Sequence, residues 1–100
     1  LNESFVEIMT ASGETVSPVP AAGRASSDFG DFSQAIPGAH PYFAISDHRI
    51  GAHSAEFKEA ARSAMGLENM LKAAQALAYT ALQYMISEDY RTAVQRDFDA

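Results

Sequence analysis

The longest regular pattern in the chain falls near its C-terminus. Leu67, Met70, Leu71, Ala74, Leu77, Ala78, Ala81, Leu82 and Met85 recur at three- and four-residue spacing, which predicts an amphipathic helix over about Leu67–Ile86 with this stripe as its core face. Its alanines favour close packing on a sheet or on another helix. Ser87 is the expected cap of a final helix, with Glu88 and Asp89 complementing its N-terminal dipole and Tyr90, Val94 and Phe98 on its inner face. At the other end, Asn2–Ala11 reads as a short helix with Phe5, Ile8 and Met9 on one side, ended by Gly13. Ser27–Ala35 carries Phe29, Phe32 and Ile36 at helical spacing, and Pro37-Gly38 stops it. Ser54–Ser63 reads as a helix capped by Ser54, with Phe57, Ala60 and Ala61 inward.

Two segments read as strands. Pro41–Ile45 is short, aromatic and β-branched, with proline tolerated at its first position, and Glu14–Ser17 is a weaker candidate. Ser17–Gly23 is a breaker-rich connection. These elements predict an α/β fold, with helices packed on a small partial sheet. Two strands do not make a stable sheet alone, so the missing strands are expected outside residues 1–100. The start at Leu1, without a methionine, fits a segment cut from something larger.

Composition narrows the function. The net charge is −6 and the seven Lys and Arg are scattered, which disfavours nucleic acid and anionic membrane surfaces. There is no cysteine, so neither a disulfide frame nor thiolate-bound zinc is available, as suits a cytoplasmic protein. No apolar run reaches the roughly 18–20 residues of a membrane span.

The candidate chemistry lies between Ser26 and Phe57. Asp28 precedes the apolar run Tyr42–Ile45, His53 follows it, and Glu56 comes three residues later. His40, His48 and His53 are metal-ligand or acid–base candidates, although their spacing matches no self-contained ligand set. Read by themselves they fit better as loop histidines bonded to backbone or water. Asp28 and Asp31 suit a helix cap or an outer-sphere partner of a histidine. Arg24 and Arg49 are candidate carboxylate binders or solvated surface groups. Glu56 and Glu59 belong to the solvent side of their helix, unless Glu56, one turn past His53, turns toward the site.

The run S-S-D-F-G-D-F-S-Q-A-I-P-G-A-H-P-Y-F, followed by G-A-H-S-A-E-F and then M-L-K-A-A-Q-A-L-A-Y-T-A-L, resembles the C-terminal part of metal-dependent amidohydrolases of the aminoacylase/carboxypeptidase peptidase family. The N-acyl-amino-acid amidohydrolase and hippurate hydrolase branch is the nearest in pattern. The resemblance covers about Ser26–Asp99 and implies a two-metal hydrolase cleaving the amide bond of N-acyl amino acids or small peptides. It implies that His53 is a ligand of a divalent zinc, manganese or cobalt ion, with Asp28, Glu56 and His40 shaping the site. Ala55 departs from the proline that the pattern often carries, and the loop Ser46–Gly51 is not the usual Gly-rich form. The bridging acid, the general base and the lid domain of such enzymes have no counterpart in these residues. The resemblance therefore implies the last piece of a discontinuous catalytic domain, inactive alone. Without its sheet partners such a chain is expected to associate as a homo-oligomer or to be marginally stable. The rival readings are a self-associating interaction module and a relic that keeps the fold without the metal.

Overall fold

The computed structural model describes residues 1–17 and 27–100. They form α1 (Asn2–Ala11), α2 (Phe29–Ala35), α3 (Ala55–Ala61), α4 (Ala64–Ile86) and α5 (Glu88–Asp99). The connection through Gly23, together with Arg24, lies outside the described residues for most of its length.

Local chemistry sets the boundaries much as the sequence predicts. Gly13 adopts φ +86 after α1. Its N–H reaches the Thr10 carbonyl at 3.0 Å, and the Glu14 N–H reaches that of Met9 at 3.1 Å. This closes the helix through a left-handed residue that costs glycine nothing. Ser54, Ser63 and Ser87 each accept a backbone N–H from three residues on, capping α3, α4 and α5. Ser63 also donates to the Ala60 carbonyl at 2.7 Å, so one hydroxyl ties the end of α3 to the start of α4.

Helix α4 is the axis on which α1, α3 and α5 pack. The core joins Phe5 and Met9 of α1 to Ala73 and Ala76 of α4, with Ile8 partly buried against them. Val94 is the buried residue of α5. Ser4 Oγ and Tyr90 Oη, 2.6 Å apart, link α1 to α5. Lys72 on α4 holds Glu14, beyond the end of α1, as well as Glu68 one turn back.

Two expectations are overturned. The α/β fold with a partial sheet is wrong, because no residue among those described is in a strand. Residues 14–17 and 42–44 do meet, lining a cleft floored by Phe5 and Met9, but without a backbone ladder between them. Pro41 has no N–H to give, the Ala44 carbonyl is taken by the Asn69 side chain at 2.9 Å, and Glu14 is engaged by Met9 and Lys72. With helix partners for these groups and no third strand, the extended segments stay unpaired. The second correction concerns α4. All nine residues of its expected core stripe are exposed, and the face that packs is Gly66, Ala73, Ala76 and Thr80. Small side chains there let Phe5 and Met9 approach the helix closely. Periodicity locates apolar faces but does not say which one a neighbour covers when a helix carries two.

Candidate functional site

The site region is built by two short helices and the segments around them. At α2, Ser27 Oγ accepts the Phe29 N–H at 3.2 Å, and Asp28 makes no side-chain cap bond. Asp28 and Asp31 are exposed carboxylates. Phe29 lies over Gly38, where a Cβ would sit 2.8 Å from the ring, so the turn after Pro37 needs glycine for this contact. His40 is held between aromatic rings, 5.0 Å from Phe29 and 5.1 Å from Tyr42, the latter stacked. Its neighbours are those of a packing residue on an aromatic ladder.

His53 occupies the turn that enters α3. Its φ is 59, and it is the non-glycine residue with a left-handed backbone among those described. Such a conformation is uncommon outside glycine, although histidine, like asparagine and aspartate, adopts it several-fold more often than other residues, and it persists where neighbours favour it. Here Ser54 does so: its hydroxyl donates to the Gly51 carbonyl at 2.7 Å and accepts the Phe57 N–H at 3.1 Å. One side chain thus fastens both flanks of the residue and leaves the His53 imidazole exposed.

Glu56 does not turn toward His53. It meets His48, whose Nε2 lies 2.9 Å from Glu56 Oε1 while its Nδ1 lies 2.7 Å from Asp47 Oδ1. Both ring nitrogens face carboxylates, which accept only, so the arrangement is that of the imidazolium, donating from both sides. The Asp47 bond, reinforced by Glu56, raises the His48 pKa above its ordinary 6.5, and His48 lowers that of Asp47. The link ties the loop before His53 to the first turn of α3. Sequence reading missed the clamp, although Asp47 beside His48 and Glu56 eight residues on were visible signals. Glu59 pairs with Arg62, and Arg49 is exposed.

The pH dependence has a definite sign. The His48 contribution is complete below the ordinary histidine value and is lost as pH rises through the raised one. The Asp47 contribution is present above the ordinary carboxylate value and is lost as pH falls through the lowered one. A titration of the His48 ring followed by NMR should give a midpoint above 6.5 that moves down in Glu56→Gln. A midpoint unmoved by that substitution would remove the clamp.

His40, His48 and His53 are thus placed in three different surroundings. Among the described residues no three His, Asp or Glu side chains converge as a metal site would require, and no helix is long and apolar enough to cross a membrane. His53 is presented as a single donor. The residues present do not by themselves fit a metal centre, which needs three or four protein ligands.

Comparison with known proteins gives one kind of relative. Over 73 residues the chain is 37% identical to Xaa-Arg dipeptidase from Homo sapiens, and equally to Xaa-Arg dipeptidase from Mus musculus. The match takes in 73% of this chain but only 16% and 17% of the length of those proteins. No family model and no solved structure matches the chain.

Proposed function

We propose that this chain is a segment of a metal-dependent hydrolase that cleaves the amide bond of small peptides or N-acyl amino acids, and that His53 is the ligand it supplies. The observation that carries the reading is the identity to Xaa-Arg dipeptidase over most of the chain. The braced, exposed His53 supports it, because a ligand needs an open imidazole on a backbone that does not wander. The remaining ligands, the bridging acid and the general base belong to other parts of such an enzyme, so the 100 residues alone hold no tight metal and do not turn over substrate. When bound, a pair of divalent ions would activate water and stabilise the oxyanion. The chain's own part is to orient one imidazole. Glu56 is bonded to His48, His40 lies between aromatic rings, and Asp28 is an exposed carboxylate without a side-chain cap bond, so any part they take is in shaping the surroundings of the site.

A chimera tests this. The matching segment of human Xaa-Arg dipeptidase is replaced by that of this chain, and hydrolysis of an Xaa-Arg dipeptide is measured. Activity should survive, and His53→Ala should lower kcat/KM by about a hundredfold or more, with loss of bound metal measured in parallel. A folded chimera whose metal content and rate ignore His53→Ala rejects the assignment. Turnover by the isolated chain with zinc, manganese or cobalt rejects the reading of an incomplete enzyme.

A further inference from the structure

The stretch that carries His53 is held by side chains. Residues 46–53 make no backbone–backbone hydrogen bond with another described residue. Upstream, the Ala44 carbonyl is fixed to α4 by Asn69, and downstream α3 begins at Ala55. Between these anchors, Ser46 Oγ accepts the His48 N–H at 3.2 Å and lies 3.1 Å from its Nδ1. Two ties then cross His53. Ser54 closes the inner one, from the Gly51 carbonyl to the Phe57 N–H. His48 Nε2 and Glu56 Oε1, 2.9 Å apart and eight residues apart in the chain, close the outer one.

The outer tie governs how far the span can move. Gly51 has open space around the position of a Cβ, so no packing fixes its permissive backbone. Closing the span at both ends restricts the conformations open to it, and the left-handed turn at His53 is a state that neighbours must favour. The outer tie also depends on charge. Asp47 from the same loop and Glu56 from α3 are the carboxylates paired with the His48 ring among the described residues. Arg49 in the loop and Lys58 on α3 are exposed. A charged ring donates to both carboxylates. A neutral ring has one N–H for the two, and its other nitrogen turns a lone pair on a carboxylate oxygen. One of the two bonds is then lost.

We propose that Asp47, His48 and Glu56 form a positioning clamp for His53, engaged while the His48 ring is charged and open when it is neutral. His48 is a positioning residue here and touches neither metal nor substrate. The use made of His53 rests on the hydrolase reading, whereas the clamp itself does not. Its sign separates it from the ordinary behaviour of a ligand. A ligand histidine gives up its metal as pH falls, because proton and metal compete for one lone pair. The clamp loosens as pH rises: it is complete below the ordinary 6.5 and is lost through the raised His48 value.

The test uses the full-length product of the gene. Hydrogen exchange read by mass spectrometry, corrected for the intrinsic pH dependence of exchange, follows the Phe57 and Lys58 amides, which bond Ser54. Their protection should fall by about three- to tenfold between about pH 6 and pH 9. His48→Gln should be poorly protected across that range. His48→Arg, charged throughout, should stay protected. Asp47→Asn leaves the tie to α3 in place, so it should keep the protection at the acid end and move the fall to lower pH. Zinc affinity, measured against a competing chelator, should follow the same pattern in all four proteins. Protection that is flat with pH in the wild type, or unchanged in His48→Gln, would overturn the clamp. Zinc binding that is lost in His53→Ala but indifferent to His48→Gln overturns the positioning role and leaves the hydrolase reading standing. A protein that binds no zinc, manganese or cobalt overturns the hydrolase reading and the use made of His53, while the exchange data still decide the clamp.

Discussion

Phe5→Ala is expected to unfold the α1–α4 unit or bring it to the edge of unfolding. Phe5 is 5% exposed and is the largest side chain in a core otherwise made of Met9, Ala73 and Ala76. Removing a buried phenylalanine costs about 3–5 kcal/mol, the lost transfer energy plus the cavity left behind. The neighbours are poorly placed to close that cavity, because two of them are alanines on a rigid helix. A small domain has only about 5–15 kcal/mol of stability to lose. The measurement is urea denaturation followed by far-UV circular dichroism at one fixed protein concentration, since association would otherwise enter the midpoint. Phe32→Ala is the comparison: at 53% exposed it should shift the midpoint little. Equal midpoints for the two variants would mean that α1 is not docked on α4 in solution.

Gly66→Ala carries the second large effect, and its sign opposes helix propensity. In the middle of a free helix the change is favourable by up to about 1 kcal/mol. Here Gly66 is buried in the first turn of α4, and an added Cβ would lie 2.5 Å from the Ala60 carbonyl oxygen and 3.0 Å from that of Ala61. These are backbone atoms at the end of α3 and cannot rotate away. The two helices must separate, loosening the Ser63 hydroxyl, which bonds both Ala60 and Gly66. A net loss of about 1–3 kcal/mol is expected, in the range of overpacked sites. Gly30→Ala is the counterpart, because no atom lies within 4 Å of a Cβ there. That substitution should stabilise α2 or leave it unchanged. If Gly66→Ala also stabilises, α3 does not sit against α4 as described. Because α3 carries Glu56, the same substitution should lower the His48 midpoint.

Much of the helical architecture was legible because its signals are local. Each serine cap needs one hydroxyl and the N–H three residues on, and Gly13 needs only its own permissive backbone. The site was legible in part. His53 entered through a family pattern, and its left-handed backbone had no sequence signal, since the residue that fixes it, Ser54, reads equally well as a plain N-cap. The His48 clamp depends on Glu56 being carried by α3 to the loop, a distance in space that spacing along the chain does not give. The sheet was misread because aromatic and β-branched runs report suitability for a pleated surface, not the presence of a partner strand.

The sequence by itself determined roughly where the helices begin and end, that α4 carries a long apolar stripe, and that three histidines share one loop-rich region. The tertiary structure decided which α4 face becomes core, which histidine is stacked, which is clamped and which stands open. The reason is physical. Caps and turns are closed by atoms a few residues apart, whereas the choice between two apolar faces depends on which neighbour arrives. Here Phe5 and Met9 arrive at the small-residue face, and the predicted apolar stripe is left exposed.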